Sequence, residues 1–225
     1  MLFPHPFSKA YWRQAFQEAK NVRMLIFAAL IVALRVALKS VSIPVAADLR
    51  IGVGFFVNAL GSMVYGPVVA ILGAAISDTL GALLFPSGPY FPLFLITEIA
   101  GSLVFALFLY RAELTSLRVI LSRFCIDFFV NIVLQTPIML LYYQIMLGKS
   151  YRIFSWPRIV KNLVMFPIES VLLILFLRLA IPPLTHQHLL QGTTHKLTFS
   201  RKNILFLSVF TVIGIAAVIL YVQLK

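Results

Sequence analysis

Long apolar runs constrain the fold of this chain more than any other feature of its sequence. They lie at about residues 24–41, 92–110, 123–146, 158–181 and 204–224, and two shorter runs lie within 49–94. Each run is continuously apolar, whereas the strands of a membrane barrel alternate apolar and polar residues. Hydrophobic residues make up 61% of the chain, well above the roughly 45–50% of a soluble domain. We therefore expect an all-α polytopic membrane protein.

The distribution of charge favours membrane topology over nucleic-acid binding. The formal net charge is +12, and the basic residues cluster at the ends of the apolar runs. If the N-terminus lies inside, eleven Lys and Arg residues fall on the cytoplasmic side and eight in the outer half. This bias predicts a multi-pass protein of the cell membrane with a cytoplasmic N-terminus and no nucleic-acid partner. The outer cations would attract an anionic ligand to an outward-facing pocket.

The N-terminal segment, residues 1–23, precedes the first long apolar run. Its larger apolar and small residues fall at helical spacing, at Tyr11, Trp12, Ala15, Phe16 and Ala19. The pattern predicts an amphipathic helix from about residue 8 to residue 22, lying on the cytoplasmic surface of the bilayer. A signal peptide is the alternative, and the length of the basic region argues against it.

Two of the predicted spans carry polar residues along one helical face. The residues are Asp127, Asn131 and Gln135 in the run 123–146, and Arg158, Asn162 and Glu169 in the run 158–181. Lipid satisfies none of their hydrogen bonds, so the two stripes must face each other or a wet cavity. The deeper acids, Asp127 and Glu169, either contact a ligand or only hold the bundle together, and the sequence leaves both open.

Glu98, two turns into the run 92–110, is a further candidate for the same cavity. A carboxylate beside a carboxamide can accept the paired N–H donors of a heterocyclic ring, and Arg or Lys can bind a carboxylate tail. Asp78 lies inside another apolar run, where an ionisable side chain is costly and suggests function.

The stretch 49–94 carries the most distinctive pattern in the chain. Two apolar segments flank a Tyr65-Gly66-Pro67 break, and the second ends in a cluster of Pro, Gly and aromatic residues. This order predicts a short helical hairpin that opens into an aromatic outer loop. The pattern RIGVGFFVNAL, YGP and SDTLGALLFPSGPYFP resembles the folate family of S components, the substrate-binding subunits of energy-coupling-factor (ECF) vitamin transporters.

The resemblance covers about residues 24–181 and implies a six-helix core. It implies an outward pocket capped by the loops at about 42–49, 87–91 and 147–157. It further implies a complex with one ECF transmembrane scaffold subunit and two ABC-type ATPases, in which the S component topples to release its vitamin inside. The implied function is high-affinity binding of folate or a related pterin for an ATP-driven importer. The alternatives are another small vitamin or nucleobase-like precursor or, from a different class, a proton-coupled secondary carrier or a membrane enzyme.

The first span contains an alanine ridge formed by Ala29, Ala33 and Ala37. On sequence alone, such a ridge packs either within the bundle or against a partner. The resemblance implies that it docks on the scaffold subunit. Arg35 lies about 200° around the helix from Ala33 at 100° per residue, so Arg35 and Lys39 are expected to point into the bundle.

The candidate substrate-binding residues are polar, charged or aromatic groups near the predicted pocket. They are Arg35, Lys39, Arg50, Asn58, Tyr90, Phe91, Glu98, Asn131, Gln135, Arg158 and Asn162. No phosphate-binding loop or metalloprotease motif occurs, and all four histidines lie outside the apolar runs. We therefore expect no enzyme activity, cofactor or metal, and energy for transport would come from a partner.

Four regions follow from this pattern. Residues 1–23 form the cytoplasmic amphipathic segment and 24–181 the six-span substrate-binding domain. Residues 182–203 form a polar cytoplasmic linker, and 204–225 form an additional C-terminal transmembrane helix outside the family's six-helix pattern. Because this last run has no charge within 204–224 and follows a long linker, we expect it to stand apart from the six-helix core.

Overall fold

The computed structural model describes residues 6–41, 43–46, 49–86, 88–151, 155–190 and 195–223. The α-helices of this part are α1 (Lys9–Glu18), α2 (Val22–Lys39), α3 (Gly54–Leu84), α4 (Phe94–Leu109), α5 (Ser116–Phe124), α6 (Gln135–Met146), α7 (Trp156–His186) and α8 (Arg201–Gln223). A π-helical segment, Cys125–Leu134, joins α5 to α6. Strand β1 (Ile43–Ala46) pairs antiparallel with β2 (Leu49–Ile51), and β3 (Leu114–Thr115) pairs parallel with β4 (His195–Lys196).

The lengths and composition of the helices confirm an all-α membrane fold. Within the described residues, four stretches are long and apolar enough to cross a membrane: Gly54–Leu84, Ser116–Met146, Trp156–His186 and Arg201–Tyr221. α1 and α2, which are bent by 80° from each other, add a fifth if they are taken as one broken span, and α4 is a shorter apolar helix. The expected number of six spans plus one stays a prediction.

α3 turns back on itself at Gly66, where the sequence predicts a break. Gly66 has φ 78° and ψ −178°, a conformation that essentially only glycine adopts. A Cβ atom on Gly61 would lie 2.8 Å from Ile31, and one on Gly73 would lie 3.4 Å from Val32. Ile31 and Val32 are neighbours on α2, so Gly61 and Gly73 lie at similar heights, although a continuous helix would separate them by about 18 Å. α3 is therefore a helical hairpin.

Three helix boundaries differ from those predicted, and the first is that of the N-terminal helix, which is expected to reach about residue 22 and ends at Glu18. The predicted span 123–146 begins earlier, at Ser116, where the Thr115 side chain accepts a hydrogen bond from the Arg118 amide. Its first turns are polar, which hides them from a search for apolar runs. The predicted span 158–181 continues through two prolines to His186. The fixed φ of proline suits a helix, and the last turn closes when the Gln187 amide donates to Pro183.

α1 packs against the bundle as well as presenting an exposed face. The Ser8 side chain caps it, and the Tyr11 hydroxyl donates to the Ala106 carbonyl at 3.0 Å. Glu18 pairs with Arg111 at 2.7 Å just beyond the end of α4. Phe16 is exposed, which leaves an apolar group on the outer face of the helix.

The expectation that the last helix stands apart is wrong. α8 packs along α7 and the π-helical segment, and Phe206, Phe210 and Gly214 make the contacts. The preceding segment is also held, because β4 pairs with β3 and the Ser116 hydroxyl donates to the Thr198 carbonyl at 2.9 Å. Phe206, Phe210 and Gly214 recur at i, i+4 and i+8. This stripe contains no charged residue, and it is the feature of the sequence that indicates a packed face.

Candidate functional site

A cavity of about 700 Å³ lies between α2, α3, α4, the π-helical segment, α6 and α7. Its volume falls in the range of small-molecule sites, about 300–1,000 Å³. Eight of the eleven predicted binding residues line it: Arg35, Lys39, Asn58, Tyr90, Phe91, Glu98, Asn131 and Gln135. Arg158 and Asn162 are buried on α7 and are not among its lining residues, and the side chain of Arg50 lies outside the described residues.

Arg35 organises the wall formed by α2, α3 and α4. It is only 6% exposed, and it points into the bundle as predicted. Its guanidinium donates to Asn58 at 3.1 Å, to Ser102 at 3.2 Å and to Glu98 at 3.0 Å. Glu98 keeps 40% of its side chain exposed, so one face of this network remains open to the cavity.

Lys39 joins α2 to the second half of the α3 hairpin. Its ammonium lies 2.6 Å from the carboxylate of Asp78, which gives the intramembrane acid a partner. The lysine stem crosses Gly81 so closely that a Cβ atom there would overlap it. The missing side chain of Gly81 therefore makes room for the ion pair.

Aromatic rings cluster where the loop before α4 meets α6. The ring centroids of Phe91 and Tyr142 are 5.6 Å apart, and those of Phe94 and Tyr142 are 5.2 Å apart. Tyr90 lies beside them in the same loop and is exposed. All four line the cavity. They form one flat, apolar end of it, suited to stacking on a ring.

A buried ion cluster lies toward the other end of the cavity. Arg123 donates to Asp127 at 2.7 Å and also pairs with Glu169. Asn131 donates to Asp127 at 3.2 Å and to Asn162 at 3.3 Å. Among the described residues, Arg123 and Glu169 line the cavity and Asp127 does not. Asp127 therefore orients Arg123 and Asn131, which both contact α7, and Glu169 has both a pairing partner and access to the cavity.

Arg123 and Lys161 are cavity residues that the sequence pattern did not single out. Each lies near the end of a predicted apolar run, a position typical of the cations that set membrane topology. The structure instead buries Arg123 at 4% exposure and puts its guanidinium 4.9 Å from the ring of Phe55. Lys161 lines the cavity from α7. Lys161 lies between Arg158 and Glu169, two residues of the predicted polar stripe, and this position could have identified it as a cavity residue from the sequence.

The described residues that line the cavity include four cations and three anions. Among the described residues they are Arg35, Lys39, Arg123 and Lys161 against Asp78, Glu98 and Glu169. Arg35, Lys39 and Arg123 each have a carboxylate within 4 Å, and within the described part of the chain Lys161 has none. The cavity therefore offers an ammonium group to an anion. No three His, Cys, Asp or Glu side chains of the described residues come together as a metal site.

Comparison with known proteins gives a consistent picture over most of the chain. Residues 19–181 match the family described as ECF-type riboflavin transporter, S component. The folate transporter FolT of Clostridium novyi is 32% identical over 157 residues, covering 68% of this chain and 87% of the relative. FolT of Leuconostoc mesenteroides is 28% identical over 151 residues, covering 66% of this chain and 81% of the relative.

A solved structure agrees with this similarity. The crystal structure of FolT bound with folic acid has a TM-score of 0.58 and 28% identity to this chain. The match covers 67% of this chain and 88% of that one. α8 lies beyond residue 181, where the family match ends.

Proposed function

The chain belongs to the family of S components of ECF vitamin transporters, and from this premise we propose that it binds folate or a related pterin for an ATP-driven importer. The folate transporters that resemble it are covered over 87% and 81% of their length, which supports a shared ligand class. The cavity supports the proposal as well, since it combines an aromatic end with amide, carboxylate and ammonium groups. Folic acid has matching parts: an aromatic pterin ring, a benzoyl ring and a tail with two carboxylates.

The ammonium of Lys161, which has no carboxylate within 4 Å among the described residues, is the observation that carries this proposal over riboflavin, which the description of the matched family names. Riboflavin is uncharged at neutral pH, whereas the tail of folic acid is a dianion. A cation that lines a cavity favours the anionic ligand, because a charge-assisted hydrogen bond to it is worth about 1.5–3 kcal/mol. We assign Lys161 to the carboxylate tail.

The polar groups on the walls suit the pterin ring. Asn131 and Gln135 present amide groups, and the half-exposed Glu98 presents a carboxylate that can accept two N–H donors from one ring edge. The rings of Phe91, Phe94 and Tyr142 can stack on the flat parts of the ligand. Arg35 acts through Glu98, because three of its five N–H donors are already in use within the protein.

Transport requires partners, and α2 has the surface for one. Ala29, Ala33 and Ala37 are all exposed on α2, opposite the buried Arg35. A ridge of small residues lets two helix backbones approach closely in a membrane. We infer that this ridge docks on the ECF transmembrane scaffold subunit, that two ABC-type ATPases supply the energy, and that the N-terminus is cytoplasmic.

A calorimetric titration of the purified protein in detergent tests the ligand. The probes are folic acid, its uncharged tail diamide, and riboflavin. We expect tight binding of folic acid, weaker binding of the diamide and no binding of riboflavin at the same concentrations. Lys161→Met should weaken folic acid about tenfold to a hundredfold and leave the diamide unchanged. Lys202→Met, an exposed lysine on α8, is the matched control. Riboflavin binding as tightly as folic acid would contradict the proposal.

A further inference from the structure

We propose that α8, which lies outside the residues that line the ligand cavity, sets the affinity of the cavity by holding α7 against the π-helical segment. The inference rests on the proposed function for the choice of ligand alone. The matched family region ends at residue 181, so the similarity assigns no role to α8. Three observations support the proposal. They are a close approach of the α7 and α8 backbones, a cluster of phenylalanines, and the position of the cavity's charged residues next to that cluster.

Gly214 brings the backbones of α8 and α7 together. A Cβ atom on Gly214 would lie 3.3 Å from the Leu163 carbonyl oxygen and 3.3 Å from the Val164 Cα. Such distances leave room for no larger side chain unless the helices move apart. The crossing point lies two residues after Lys161 on α7, so any separation of α8 from α7 begins close to this cavity lysine.

A cluster of five phenylalanines ties α8 to both α7 and the π-helical wall. Phe210 is its centre. The Phe210 centroid lies 4.9 Å from that of Phe206, 5.0 Å from Phe166, and 5.8 Å from both Phe124 and Phe128. Aromatic pairs at these distances stabilise packing beyond their buried area. One ring of α8 therefore contacts three helical segments at once.

The ion cluster of the cavity lies next to these phenylalanines along the chain. Arg123 precedes Phe124, Asp127 precedes Phe128, and Glu169 follows Phe166 by three residues. The distance between Arg123 and Glu169 is thus constrained from the cavity by their ion pair and from the membrane side by the phenylalanines. Fluid lipid chains in place of Phe210 would fill the space without fixing that distance.

A simple membrane anchor would need none of these contacts. The outer face of α8 is apolar and exposed, with Leu205 at 68% and Val212 at 66%, and this face alone would suffice for insertion. Asn203 and Leu207, by contrast, are buried at 8% and 7%, and Leu207 belongs to the main core. The packed face therefore serves the bundle, and the lipid face serves insertion.

The test combines binding with a double-mutant cycle. Phe210→Ala and Gly214→Leu are compared with Val212→Ala on the lipid face of α8. We expect the first two to raise the Kd for folic acid about tenfold or more and the third to leave it unchanged. Size-exclusion chromatography identifies variants that remain folded, and Phe210→Leu, which keeps most of the bulk, should recover part of the affinity. Unchanged Kd in folded Phe210→Ala and Gly214→Leu proteins overturns the proposal.

The cycle separates an effect on the cavity wall from general loss of stability. If α8 positions Lys161, the effect of Phe210→Ala should shrink in a Lys161→Met background, because contact-coupled changes are not additive. Lys39 lies on the other wall of the cavity. In a Lys39→Met background, the factors by which the two substitutions raise the Kd for folic acid should therefore multiply. If Phe210→Ala raises the Kd by the same factor in both backgrounds, the proposal is overturned.

Failure of the ligand assignment gives a different result. In that case the wild-type protein does not bind folic acid, and hydrogen exchange replaces the titration. Phe210→Ala should then speed exchange in residues 125–134 and 156–169 relative to Val212→Ala, while exchange in 54–84 stays the same. Unchanged exchange in the first two regions overturns the role of α8.

Discussion

Arg35 and Glu98 lie 63 residues apart in the sequence and form an ion pair of 3.0 Å in the wall of the cavity. The sequence predicts that Arg35 points inward and binds an anionic ligand. The first half is confirmed. The guanidinium, however, is engaged by Glu98, Asn58 and Ser102, so its effect on an anion passes through the charge of Glu98.

Arg35→Ala should weaken folic acid binding about tenfold to a hundredfold. The substitution leaves Glu98 as an uncompensated negative charge facing the cavity, which disfavours binding of a dianionic ligand. Glu98→Gln alone should cost less, and the double variant should recover part of the loss, as calorimetry can measure. An Arg35→Ala protein with wild-type Kd would mean that the pair has no influence on the ligand.

The break of α3 was predictable because its chemistry is local. Glycine followed by proline inside an apolar run indicates a turn whatever surrounds it, and Gly66 indeed has a φ of 78°. The inward direction of Arg35 was predictable for a similar reason, since helical periodicity fixes which residues oppose the alanine ridge.

The roles of Arg123 and Lys161 were not predictable in the same way. A cation near the end of an apolar run gives the same signal whether it faces the headgroups or a cavity. Only the packing of α7 against the π-helical segment distinguishes the two. The docking of α8 was easier to predict from the sequence, because Phe206, Phe210 and Gly214 share one helical face.

Gly66→Ala should destabilise the ligand-free protein. The strained backbone alone costs about 1–3 kcal/mol, and the new Cβ atom would lie 2.9 Å from the ring of Tyr110. Thermal unfolding in detergent should therefore show a lower midpoint. Gly101→Ala is the control: its Cβ atom meets nothing within 4 Å, and in a helix this change is favourable by roughly 0.5–1 kcal/mol. Equal midpoints for the two variants would contradict the account of the turn.

Arg123→Met should destabilise the bundle more than either Asp127→Asn or Glu169→Gln does. It leaves two buried carboxylates, Asp127 and Glu169, without their common cation, and breaking a buried ion pair in this way costs about 3–5 kcal/mol. Adding Asp127→Asn and Glu169→Gln removes the uncompensated charges and should restore much of the stability. Denaturation of the single and triple variants measures this, and a triple variant no more stable than Arg123→Met would contradict it.

Ala33→Trp should abolish ATP-driven uptake while leaving ligand binding by the isolated subunit intact. Ala33 is exposed on the face of α2 opposite the cavity, so a large side chain there cannot reach the ligand but would hold a docked helix away. The comparison is uptake of labelled folic acid by cells or proteoliposomes that contain the whole transporter, set beside calorimetry of the purified subunit. Leu179→Trp is the matched control, because Leu179 is 78% exposed on α7, and it should leave both measurements unchanged. Uptake at the wild-type rate by the Ala33→Trp protein would show that the alanine ridge is not the docking surface. Loss of uptake together with loss of binding would show instead that the substitution disturbs the fold of α2.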